Sequence, residues 1–287
     1  MLTRLFSACV LFVAVLVTPC SYADEPNPAN LHLASSTAVI LDAQTGQVLY
    51  AKDAETIRPI ASITKLMTAM VVLDSNLPMD EMLTISKDDI DRLKGSYSRL
   101  RIGTRQSRGE MLRLALMSSE NRAASALGRH YPGGLQAFVD AMNKKAREIG
   151  MLKAHFSDST GLSAENTASA ADLARMVQTA SSYPLIRSYS TTSTQTVRFP
   201  KPTYTLNFAN TNRLVRGGKW DIELSKTGYT KEAGRCLVMK THVGERPVVM
   251  VLLNSQGKLT PLGDAGRVKR WIETGNSGPA PQSGIRA

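Results

Sequence analysis

Three short groups of residues carry side chains that could act together on an acyl bond: Ser62 with Lys65, Ser119 with Asn121, and Lys226 with Thr227 and Gly228. A serine hydroxyl becomes an effective nucleophile only when a base takes its proton. Four histidines are present, His32, His130, His155 and His242, but no G-x-S-x-G elbow accompanies them and none has the spacing of a metal site such as H-E-x-x-H. Serine chemistry without histidine therefore falls to Lys65, and no metal or other cofactor is implied. At i and i+3 of a helix Ser62 and Lys65 share a face, about 5–6 Å apart at Cβ. A lysine serves as a base only if its pKa falls, which desolvation and a second cation nearby both promote. Alone, the pair also fits a helix-capping serine and a lysine whose stem covers apolar surface.

The elements that must hold these groups can be read around them. Residues 62 to 73 are apolar on every side, so Ser62 should open a buried helix, with Pro59 just before its start. Ser119-Glu120-Asn121 sits between two helical stretches, 107–117 and 119–129, where a hydroxyl and an amide can project into a cleft; capping is the plainer use of the same residues. Lys226-Thr227-Gly228 ends a predicted strand before a turn, and Gly228 lets backbone and ligand approach closely. An edge strand guarded by a lysine would look the same. Further helices are expected over 135–149, 168–180 and about 264–273. The segment 37–52 alternates around a Gly46 turn as a hairpin, and 222–229, 235–241 and 247–253 read as an antiparallel meander. The fold class is α/β: one antiparallel sheet built from both chain ends, flanked by helices, with an inserted helical lobe.

Composition sets the context. The 287 residues, 43% hydrophobic and 21% charged, have globular proportions, and 35 Lys and Arg against 24 Asp and Glu give +11, which suits an anionic partner. Arg4, the uncharged run from Leu5 to Val17, Pro19 and the small residues of Ser21-Tyr22-Ala23 read as a secretory signal peptide over residues 1–23. The run is short of the ~20 residues needed to cross a bilayer. Export leaves no nucleic acid partner and no membrane span in the expected product. Cys9 and Cys20 would leave with the leader, so Cys236 remains as a buried packing thiol without an internal disulfide. Residues 24–36 read as a flexible lead, 24–275 as a single catalytic domain and 276–287 as a flexible tail.

The three groups resemble the set S-x-x-K, S-D-N and K-T-G of penicillin-binding proteins and class A β-lactamases. They stand here as Ser62-Ile63-Thr64-Lys65, Ser119-Glu120-Asn121 and Lys226-Thr227-Gly228, with Glu120 where the pattern has Asp. The likeness extends through Arg58–Met70, Leu116–Ala124, Ser169–Ala174 and Gly234–Met239. It covers about residues 37 to 275 and is strongest to low-molecular-mass D-alanyl-D-alanine endopeptidases of Gram-negative bacteria, which open peptidoglycan cross-links. The resemblance implies a β-lactamase/transpeptidase-like fold and a periplasmic enzyme acting on cross-linked peptidoglycan peptides, with β-lactams as inhibitors. It implies Ser62 as acylated nucleophile, Lys65 as its proton acceptor and Ser119 as shuttle to the leaving amine. Asn121 would bind a substrate amide, Lys226 and Thr227 the substrate carboxylate, and the backbone N–H groups of Ser62 and Tyr229 the oxyanion.

Other readings share the motifs. A β-lactamase needs a glutamate-held water, yet Glu165 is followed by Asn-Thr-Ala rather than by the pattern that resemblance requires. D-alanyl-D-alanine carboxypeptidases usually continue into a β-rich second domain, and the chain after Gly228 suffices only for the meander and a last helix. A silent wall-binding protein would have lost the serine or the lysines. The basic stretch Arg92, Lys94, Arg99, Arg101, Arg105, Arg108 and Arg113 reads as a solvated face or as a guide for carboxylate-rich peptides.

Overall fold

The computed structural model describes residues 25–281. The expected leader and residues 282–287 of the expected tail lie outside them. In chain order, β1 (Thr37–Asp42) and β2 (Val48–Lys52) form a hairpin, and β3 (Arg58–Pro59) leads through one 3₁₀ turn (Ala61–Ile63) into α1 (Thr64–Asp74). There follow β4 (Met82–Thr84), β5 (Arg105–Ser107), α2 (Arg108–Met117), α3 (Asn121–Arg129), α4 (Gly134–Glu148), β6 (Thr167–Ala168), α5 (Ala170–Ala180) and α6 (Pro184–Ser190). A second hairpin, β7 (Thr194–Pro200) and β8 (Thr203–Ala209), and the short α7 (Arg213–Gly217) precede the meander β9 (Ile222–Thr230), β10 (Gly234–Val243) and β11 (Arg246–Ser255), which ends in α8 (Thr260–Thr274).

The sheet has the antiparallel order β2-β1-β11-β10-β9, so the two chain ends meet at its centre, with Val39 opposite Val251. Every residue of β1 is buried, because the sheet is covered on both faces. Val39, Leu41, Val249, Val251 and Leu253 face the helical lobe, while Ala38, Ile40, Met250 and Leu252 face α8 through Ala265, Val268 and Trp271. A strand covered on both sides reads as a continuous apolar run rather than an alternation. Each fully buried Val, Leu or Ile contributes about 1.5–3 kcal/mol, so this double layer holds the frame on which the motifs stand. At its far edge β9, which carries Lys226, Thr227 and Gly228, lies beside the turn that carries Ser62.

Two segments differ from expectation. The lead is docked: Leu31 and Leu33 are buried in the core under α8, and Asn27 O accepts from Trp271 Nε1 at 2.9 Å. Its polar and proline-rich character concealed the two leucines that anchor it. Beyond α8, Ser277 is also tied down, its hydroxyl donating to Asn30 O at 2.8 Å and accepting from His32 N.

Five of the seven cations in the basic stretch make separate ties, while Arg92 and Arg105 are exposed. Arg108 is buried and pairs with Glu81, Lys94 pairs with Glu232, and Arg99, Arg101 and Arg113 lie over the rings of Phe208, Tyr204 and Tyr189. Guanidinium groups stack on aromatic faces, so this stretch fastens the β7–β8 hairpin and α6 to the lobe. Cys236 is buried, and burial pushes its thiol up to about 11, as suits a packing thiol. Among the described residues no helix is long and apolar enough to cross a membrane.

Candidate active site

Ser62 sits in the 3₁₀ turn rather than in α1 itself. Ala61 has φ +47°, which an α-helix does not admit, so the helix starts only at Thr64. The pairing survives this shift. Residues Thr64 to Val72 of α1 are all buried, and Lys65, fully buried with them, directs Nζ to three oxygens: Ser62 Oγ at 3.0 Å, Asn121 Oδ1 at 2.7 Å and Thr160 O at 2.7 Å. Burial brings the Lys65 pKa down to about 8, opposed by the negative charges of Asp158 and Glu120.

The second group lies at the junction of α2 and α3. Ser119 has φ +60°, a left-handed conformation that a serine holds only when its surroundings require it. Here the chain must leave α2 at Ser118 and re-enter a helix at Asn121, with Glu120 N bonded back to Leu114 O. Asn121 is fixed at both ends of its amide, donating from Nδ2 to Ser96 Oγ at 2.9 Å while accepting from Lys65. Glu120 accepts from Ser98 Oγ, and its burial raises its pKa. The Asp-to-Glu difference in this motif is thus taken up by a contact to the 91–99 loop.

The third group comes from the sheet edge. Lys226 is fully buried and its Nζ donates to Ser119 Oγ at 3.0 Å and to Thr227 O at 2.8 Å. Burial first, and the charge of Lys65 second, hold its pKa well below the usual lysine range. Thr227 Oγ1 bonds Thr211 Oγ1 at 2.7 Å. A Cβ on Gly228 would stand 3.0 Å from Ser62 N, so the absence of a side chain is what lets the strand approach the turn. Ser62, Ser119, Asn121, Thr227, Gly228 and Tyr229 all line one cleft of about 370 Å³, and Lys65 and Lys226 are buried behind it, bonded to Ser62 and Ser119.

Residues 158–166 belong to the site, although none of the three motifs includes them. Thr160 supplies a carbonyl to Lys65. Gly161 (φ +81°) packs so tightly on the Ser62 turn that a Cβ would stand 2.0 Å from Ala61 O. Asp158 organises the loop, accepting from Gly161 N at 2.7 Å, Ser163 N at 2.9 Å and Asn166 Nδ2 at 2.8 Å. An Asp followed three residues later by Gly is a turn signal, but it says nothing of the lysine that the turn addresses.

A family model described as D-alanyl-D-alanine carboxypeptidase matches residues 23–257. A D-alanyl-D-alanine endopeptidase of Pseudomonas aeruginosa is 49% identical over 96% of this chain and 90% of its own, and one of Escherichia coli is 49% identical over 88% and 82%. The crystal structure of a Streptomyces DD-transpeptidase superposes with a TM-score of 0.77 at 28% identity, covering 85% of this chain and 97% of that one. With its motifs in one cleft and this match over most of its length, the chain belongs to the D-alanyl-D-alanine carboxypeptidase family of serine peptidases.

Proposed function

We propose that this protein is a D-alanyl-D-alanine endopeptidase that hydrolyses peptidoglycan peptide cross-links through an acyl-enzyme on Ser62, and that β-lactams acylate the same serine. The reading is supported most directly by the surroundings of Lys65 Nζ. A neutral amine has two hydrogens and one lone pair, and the carbonyl oxygens of Asn121 and Thr160 accept the two hydrogens. The lone pair is then left for the Ser62 hydroxyl, 3.0 Å away. In that state the serine donates and the lysine accepts, the arrangement general-base activation needs.

The remaining steps use groups already in the cleft. Ser62 Oγ attacks the D-alanyl carbonyl and Lys65 takes its proton. The oxyanion lies between the backbone N–H groups of Ser62 and Tyr229, where each such donor is worth about 2.7–4 kcal/mol in comparable enzymes. Because Lys226 donates to Ser119 Oγ, the serine's own hydrogen is free to point at the departing nitrogen; as Ser119 gives that proton up, the one taken by Lys65 replaces it, so both residues end the step as they began. Lys226 and Thr227 receive the carboxylate beside the scissile amide, and Asn121 holds a substrate amide. Coulomb repulsion between two ammonium groups is mutual, so a carboxylate that stabilises charge on Lys226 also favours neutral Lys65. Water then releases the acyl group. The enzyme acts in the periplasm after removal of its leader, as a single catalytic domain.

Family membership alone is compatible with a carboxypeptidase; the 49% identity to two proteins named endopeptidases favours cross-link cleavage. For a β-lactamase the acids near the cleft are poorly placed. Glu165 is exposed, Glu120 is engaged by Ser98, and both oxygens of Asp158 are taken by its own loop. Intact-mass measurement with benzylpenicillin tests the chemistry. One penicilloyl adduct, persisting for minutes and mapping to the peptide that contains Ser62, is expected. Rapid penicillin turnover without an adduct would establish a β-lactamase instead.

A further inference from the structure

The cleft holds more positive charge than one carboxylate requires. Lys226 lies buried behind Ser119, and the lining itself includes Arg213, Arg235 and Lys258 and contains no Asp or Glu. Arg213 and Lys258 are exposed, and the Arg235 guanidinium lies 4.4 Å over the Tyr229 ring. Among the described residues none of the three belongs to an ion pair. Three cations with no carboxylate among them therefore line the same cleft as Ser62. Leu259, Pro261 and Leu262 line the same wall and give it an apolar shelf between the charges.

We propose that Arg213, Arg235 and Lys258 form a second anion-recognition wall that selects cross-linked substrates by a carboxylate on the departing strand, beyond the one next to the scissile amide. The inference rests on the endopeptidase reading above. A terminal D-alanine leaves as a single amino acid with one carboxylate, for which Lys226 and Thr227 suffice. A cross-link breaks to release a whole peptide, which carries its own terminal carboxylate further along, and the shelf accommodates the aliphatic stretch between the two. Charge-assisted hydrogen bonds to carboxylates are among the stronger polar contacts, and a cation wall without competing acids also speeds the encounter with an anionic strand. The wall therefore discriminates through kcat/KM for the dimer.

The test compares a purified cross-linked dimer with the same dimer amidated at the departing strand's terminal carboxylate, using penicillin acylation as an independent measure of the catalytic groups. For the unaltered enzyme, amidation is expected to lower kcat/KM about tenfold. In the double variant Arg213→Gln, Lys258→Gln, the free-acid dimer should fall about tenfold relative to penicillin acylation, and amidation should then change the rate by less than about twofold. Equal cleavage of the two dimers by the unaltered enzyme overturns the proposal, and this arm needs no variant to fold. Failure to cut either dimer while penicillin still acylates Ser62 overturns the cross-link reading itself, and this proposal with it.

Discussion

The side-chain nitrogen of Lys226 donates to the hydroxyl of Ser119 at 3.0 Å, across 107 residues of sequence. This contact joins the sheet edge to the helical lobe and orients the Ser119 hydroxyl in the cleft. In Ser119→Ala the departing amine lacks its proton donor, so hydrolysis of peptide substrate should fall roughly 10²-fold or more, with the fold intact by circular dichroism. A rate within threefold of the parent would remove Ser119 from the mechanism.

Ser62→Ala should fold and take no label from a fluorescent penicillin. Lys65→Ala should retain Ser62 but acylate roughly 10²–10⁴-fold more slowly, measured by stopped-flow quenching. Near-normal acylation of the lysine variant would mean that another group accepts the proton.

The pH dependence follows from the buried amine. With the Lys65 pKa lowered from 10.5 to about 8 by burial, only the neutral fraction can act as base. Acylation by penicillin should rise about tenfold per pH unit below 8 and level off above it. Stability carries the same sign: between about 8 and 10.5 the unfolded chain binds the proton that folded Lys65 has lost, so unfolding free energy from this residue increases with pH across that window. A flat acylation profile from pH 6 to 9 would contradict the assignment of the base.

Gly161→Ala tests the loop that supplies Thr160. The added methyl would meet Ala61 O at 2.0 Å and Ala61 C at 2.4 Å, at a backbone φ of +81°. Neither backbone can yield without moving the Ser62 turn, so destabilisation of at least about 3 kcal/mol is expected, equivalent to a Tm loss of roughly 6 °C or more. Differential scanning calorimetry reads this directly, and an unchanged Tm would show that the turn is softer than described.

The elements that carry the motifs were legible because their patterns are strong. The α1 segment is apolar on all sides since it passes through the middle of the lobe, and the meander alternates with turns at Gly234 and Gly244. The β7–β8 hairpin was not, because only Val197, Phe199 and Phe208 of its strands are fully buried and most of the other positions are polar or exposed. Its attachment depends on Arg99 and Arg101 stacking from a distant loop, which no local window contains. Within the site, side chains announced themselves, whereas the Thr160 carbonyl and the Ser96 hydroxyl did not: a backbone oxygen has no residue type, and a lone serine in a loop has no spacing. The offset of Ser62 from α1 likewise depends on Gly161 pressing on Ala61, a contact set by tertiary packing.

The most direct test of the central claim is mass-spectrometric analysis of cross-linked dimeric muropeptides incubated with the purified enzyme and with its Ser62→Ala variant. Conversion of dimers to monomers by the enzyme and not by the variant is the expected result. Loss of terminal D-alanine from pentapeptide monomers while the dimers persist would contradict the account and identify a carboxypeptidase.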